Sequence, residues 1–125
     1  MRNKFAIYLY GVDRKPIPAD FESIAENLQK VERLYFEMDG SFIWTGEDGE
    51  FRWQLDGMLY DAAGVIQYVD IQGWCPLREW LSLLNTIADQ ADWDQRWTVV
   101  RLPQLTTQSL GEFNQEIWCG GNLVR

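Results

Sequence analysis

Residues 35–74 read YFEMDGSFIWTGEDGEFRWQLDGMLYDAAGVIQYVDIQGW. Four apolar and aromatic runs are separated by short acidic, glycine-bearing breaks: Asp39-Gly40, Gly46-Glu47-Asp48-Gly49 and Asp61-Ala62-Ala63-Gly64. Asp-Gly pairs adopt the positive φ angles that tight hairpins need. The aromatic and β-branched residues between them suit a pleated, half-buried surface. The stretch therefore predicts an antiparallel meander. Within residues 51–60, Phe51, Trp53, Leu55 and Leu59 share one face, and Arg52, Gln54, Asp56 and Tyr60 the other. Asp56-Gly57 interrupts this alternation. A bulge or bend in one long strand explains it better than a hairpin turn, because a stronger turn follows at residues 61–64.

Outward from the meander, residues 5–10 (FAIYLY) form a further strand, and the prolines at 16 and 18 keep the next segment a loop. Asp20 is placed as an N-cap. Phe21, Ile24, Leu28 and Val31 follow at helical spacing. Beyond residue 73, Pro76 suits a first helical position. Leu77, Trp80, Leu81, Leu84, Ile87 and Ala88 then make a second amphipathic helix. An acidic connection spans residues 89–94, and residues 97–102 (WTVVRL) read as a strand. Ser109-Leu110-Gly111-Glu112 matches a capping box, opening a short C-terminal helix that Gly120-Gly121 would end.

The expected architecture is a single α+β domain over residues 1–125. An antiparallel meander sheet of five to six strands carries two main helices on one face. Phe21, Ile24, Leu28, Trp53, Leu55, Trp80, Leu84 and Val99 are its expected core.

Composition excludes several chemistries. The 125 residues hold no histidine. Ser–His and Cys–His nucleophile pairs within the chain are thereby removed, with the usual general base and metal ligand. Only two cysteines occur, Cys75 and Cys119, too few for a disulfide framework or a structural zinc site. No motif points to a cofactor, a metal or a catalytic group. The apolar run after Arg2 and Lys4 is too short for a signal-peptide core, and no run reaches the ~18 residues of a membrane span. A cytoplasmic protein with reduced thiols is expected. Cys75 precedes Pro76 at a helix start with Arg78 nearby. Both features lower a thiol pKa, but a buried cysteine without chemistry is the expectation.

The net charge is −8 and unevenly spread. Residues 1–33 carry six Lys/Arg and five Asp/Glu; residues 34–70 carry eight acids and the single base Arg52. Such a surface repels phosphate backbones, so no nucleic-acid partner is expected. A basic protein partner fits better. The expected binding residues are Arg52 and Tyr60 on the sheet face, Glu47, Asp48 and Glu50 at a hairpin end, and Trp74 and Trp93 at element ends, since exposed tryptophan is enriched at hot spots. Trp44, Trp53, Trp80 and Trp97 fall on core faces. The function these features favour is a non-enzymatic protein-interaction or regulatory module. The alternatives are an acidic, immunity- or antitoxin-like inhibitor of a basic enzyme, and a small-molecule site lined by aromatics between sheet and helices.

Overall fold

The computed structural model describes residues 4–89 and 92–119. In chain order these form β1 (Phe5–Val12), α1 (Phe21–Gln29), β2 (Leu34–Phe36), β3 (Ser41–Asp48), β4 (Phe51–Ala62), β5 (Val65–Trp74), α2 (Leu77–Ala88), β6 (Trp97–Arg101), β7 (Thr106–Ser109) and α3 (Leu110–Trp118). The seven strands make one antiparallel sheet in the order β2-β3-β4-β5-β1-β6-β7. The meander β2–β5 is continuous, and β1 inserts between β5 and β6.

Period-2 alternation sends one set of side chains to the helices. Ile7, Leu9, Phe42, Leu55, Leu59, Ile66, Val69, Ile71 and Val99 all turn inward and are buried. Ile24 and Leu28 of α1, Trp80, Leu84 and Ile87 of α2, and Leu110 and Phe113 of α3 meet them in one core. All three helices thus lie on the same face: the two main ones as expected, and the expected short C-terminal helix α3, which seals the β6–β7 end. Its capping box is present: Ser109 Oγ accepts the Glu112 N–H while Glu112 accepts the Ser109 N–H. Gly120-Gly121 and residues 90–91 of the acidic connection lie outside the described residues.

Several local expectations are corrected. The sheet has a seventh strand: Thr106–Ser109 is short and polar, so its sequence carries no apolar alternation, and pairing with β6 supplies what propensity does not. The one long strand expected through Asp56-Gly57 is found as β4, but it has no bulge there. β3 and β4 stay in register through Phe42↔Gly57, and the irregularity falls instead at Tyr60/Asp61 against β5. Gly57 is required by packing: a Cβ there would lie 2.1 Å from the Phe42 ring. The expected turn at residues 46–49 is displaced. β3 runs on to Asp48, which pairs with Phe51, leaving a two-residue turn of Gly49 and Glu50. Gly46 sits under the Trp53 ring, within the strand. Phe51, on the same face as Trp53 and Leu55, is 57% exposed because the hairpin end carries it away from the core. Pro76 caps α2 from an extended conformation, and Leu77 is the first helical residue. Leu77 is exposed, and Leu83 takes its place in the core. Phe21 is only half-buried, packing on Phe36.

Candidate functional site

Among the described residues no helix packs on the face of the sheet opposite the core; the β1–α1 loop lies against its β1–β6 side, where Thr98 and Val100 are buried. Cross-strand register sets its side chains in rows. One row runs Ser41–Met58–Asp70–Tyr8–Val100 across β3, β4, β5, β1 and β6. Beside it, Tyr60 of β4 pairs with Tyr68 of β5. The rings of Tyr60 and Tyr68 stack at 4.7 Å, and Tyr10 of β1 stacks on the other side of Tyr68 at 5.2 Å. Tyr8 meets Tyr68 at 5.1 Å, tilted by 54°. Strand spacing of roughly 4.8 Å imposes this stacking once tyrosines occupy neighbouring positions on one face. The Arg14 guanidinium lies 5.0 Å over the Tyr10 ring, and its backbone N–H donates to Thr98 Oγ1 at 3.2 Å. The β1–α1 loop is thereby held against this face.

Asp70 sits among these rings. Its Oδ1 is shut off from solvent and accepts no hydrogen bond. Burial raises its carboxyl pKa above the ordinary 3.8, and a hydrogen bond from Gln72 opposes the shift only in part. Burial also pushes the Tyr68 hydroxyl upward, reinforced by Tyr60, Tyr8, Tyr10 and Asp70. A carboxylate kept in poor solvation without a cationic partner opposes stability at neutral pH. The folded state raises the proton affinity of Asp70, so native protein holds more protons than unfolded chain between the two pKa values. Stability from this residue therefore falls as pH rises through that window. Asp20, Asp39 and Asp94 act in the other direction. Hydrogen bonds from Ser23, Ser41 and Arg96 respectively lower their pKa values, so their contribution is present above 3.8 and lost as pH falls through the lowered values. Asp70→Asn is accordingly expected to raise the melting temperature at pH 7. The difference should vanish below about pH 3, where the wild-type carboxyl is neutral as well. Thermal melts of both proteins across pH check this; a lower melting temperature for Asp70→Asn at pH 7 would refute it.

At the β3–β4 hairpin end, the same face runs into a groove of about 960 Å³. Lys4, Arg33 and Arg52 supply its cations, Glu47 and Asp56 its carboxylates, and exposed Phe51 and half-buried Trp74, which packs against the core, its aromatic wall. No lining residue belongs to a helix. The groove therefore lies at the end of the sheet and not in the space between sheet and helices. Arg52 and Glu47 approach only to 4.0 Å and both are well exposed, so their pairing contributes little.

The residues singled out by sequence divide between these regions. Tyr60 belongs to the tyrosine array; Arg52, Glu47 and Trp74 line the groove. Asp48 and Glu50 sit at the adjoining hairpin end. Trp93 is apart from them, half-buried and packed against the core. Tyr8, Tyr10, Tyr68, Asp70 and Arg14 were not foreseen. The alternation of FAIYLY places Tyr8 and Tyr10 on one face, but only the β1–β5 pairing brings them to Tyr68.

Cys75 is fully buried, and burial raises its thiol pKa far above the ordinary value, with Glu79 adding to the effect. The helix start and Arg78 do not offset this. Its carbonyl accepts the Trp118 indole N–H at 2.8 Å. Iodoacetamide at pH 8 should leave Cys75 unmodified in the native protein and label it on unfolding, with half-buried Cys119 as internal reference. Native-state labelling of Cys75 faster than Cys119 would contradict this. Among the described residues, no three His, Cys, Asp or Glu side chains gather as a metal site. No helix there is long and apolar enough to cross a membrane.

Comparison with protein-family models, curated proteins and solved structures gives no match for this chain.

Proposed function

We propose that this protein is a non-enzymatic interaction module that binds a basic protein partner through the sheet face opposite its helices, acting in the cytoplasm. One observation carries the reading. The face opposite the helices holds four tyrosines in continuous ring contact, with a poorly solvated carboxylate beside Tyr8 and Tyr68. Tyrosine offers large, stiff, amphipathic contact area at low entropic cost, the composition that interface centres use. The surrounding charge favours a basic partner. The chain carries −8, and most of that excess lies in the meander that builds the face. An inhibitor of a basic enzyme is one form such a module takes. A second reading, a small-molecule site, is favoured by the sheet-end groove, with cations, exposed Phe51 and half-buried Trp74 lining one concavity.

The test is comparative. Wild-type protein, Tyr60→Ala/Tyr68→Ala and a helix-side control, Glu26→Ala, serve as baits in extracts of the source cells. Proteins retained by wild type and control but lost by the tyrosine variant support the reading. Identical retention by all three sinks it. Charge reversal of Glu47, Asp48 and Glu50 to Lys should slow association with such a partner by about tenfold or more at low salt, while circular dichroism stays unchanged.

A further inference from the structure

We propose that the tyrosine face recognises an arginine side chain of its partner protein, whose guanidinium docks on the Asp70 carboxylate beside the rings of Tyr8 and Tyr68. This rests on the interaction-module reading above and specifies what the partner must present.

The carboxylate at the centre of the face is under-coordinated. A carboxylate accepts about four hydrogen bonds. Asp70 is reached by Gln72, while its Oδ1 is shut off from solvent and has no donor. Its neighbours across the strands, Met58 and Tyr8, offer it no positive charge. Among the described residues the ion pairs formed by arginine go elsewhere, to Glu47, Asp94 and Glu116. The χ2 torsion of aspartate is broad and two-fold, so a rotation in place turns Oδ1 toward an arriving donor.

Arginine fits better than lysine for a geometric reason. A guanidinium is planar, weakly hydrated and forked. It can lie against an aromatic ring while donating two parallel bonds to a carboxylate. The ammonium of lysine is compact and strongly hydrated, and gains less from both. The same face already shows half of this arrangement within the chain, where Arg14 lies over Tyr10 at 5.0 Å. Asp70 stands one row away, with the carboxylate that Arg14 lacks there. The −7 of residues 34–70 draws a basic partner toward this surface.

The probe is the peptide acetyl-Gly-Arg-Gly-amide, titrated into ¹⁵N-labelled protein and followed by amide shifts. Its citrulline analogue has the same shape with a neutral urea. The arginine peptide is expected to give saturable shifts centred on Tyr8, Tyr68 and Asp70 by about 10 mM. The citrulline peptide should bind at least about tenfold more weakly, and Asp70→Asn should weaken the arginine peptide by a similar factor. The melting temperature of Asp70→Asn should not fall, which separates lost recognition from lost folding. The inference is overturned by any of three results: no saturable shift, equal binding of citrulline, or unchanged binding to Asp70→Asn. If the Tyr60/Tyr68 variant loses a cellular partner that Asp70→Asn keeps, the face is still an interaction surface and only the arginine assignment fails.

Discussion

Trp80→Ala is expected to lower the free energy of unfolding by about 3–5 kcal/mol. Trp80 is fully buried on α2 and is the hub of an aromatic cluster that joins three elements. Its ring contacts Phe5 of β1 at 5.6 Å, Phe113 of α3 at 5.9 Å and Trp118 of α3 at 5.2 Å. The indole N–H donates to Asn114 Oδ1 at 2.8 Å. Truncation leaves a large cavity, because helices anchored at both ends of the sheet cannot collapse onto it, and it strips a half-buried acceptor of its donor. Urea unfolding measures the loss. Leu105→Ala, at a side chain 62% exposed, should change stability by less than about 0.5 kcal/mol in the same assay. A loss below about 1 kcal/mol for Trp80→Ala would mean that α2 does not hold α3 to the sheet.

Gly73→Ala is expected to be comparably damaging for a different reason. Gly73 adopts φ +118°, a region that residues with a Cβ rarely enter, and an added Cβ would sit 2.1 Å from the backbone carbonyl oxygen of Gln54. That oxygen belongs to the paired strand β4, so no side chain can swing aside, and the β4–β5 ladder itself must part. A cost of at least about 3 kcal/mol follows, with disorder at the groove end. Gly49→Ala separates the two causes. Gly49 also has positive φ, at +67°, but nothing lies within 4 Å of its would-be Cβ. It should lose only about 1 kcal/mol. Equal losses at the two positions would show that backbone conformation, and not the strand contact, is responsible.

Much of the fold was legible because its signals are local. The turn at residues 61–64 is one case: Ala63 and Gly64 both take positive φ, and the Gly64 N–H donates to Asp61 Oδ2 at 3.0 Å. The Asp20 cap is another, accepting from the Glu22 and Ser23 amides. The errors fell where a tertiary contact overrides a local preference. Gly57 resembles a breaker because glycine is rare in strands, yet it is there to admit the Phe42 ring from β3. Thr106–Ser109 resembles a loop because its residues are polar, yet β6 recruits it. Phe51 carries the right parity for the core, but it lies beyond the helices' reach.

The candidate site was less legible. Tyr60, Arg52, Glu47 and Trp74 could be named from exposure parity and element ends alone, since each lies within the contiguous meander. Asp70 could not be distinguished from any other acid on a strand. Its cross-strand neighbours are Tyr8 and Met58, and Tyr8 stands 62 positions away in sequence. By itself the sequence determined the class of fold, the position of most elements, the inward set of side chains and the absence of histidine chemistry. Those properties depend on periods of two and 3.6 residues and on composition. Only the tertiary structure decided that β1 enters the sheet between β5 and β6, and so brings Tyr8 and Tyr10 to Tyr68 and sets Tyr8 beside Asp70. Strand order is settled by long-range pairing, where many arrangements satisfy the same alternation and the packed core selects one.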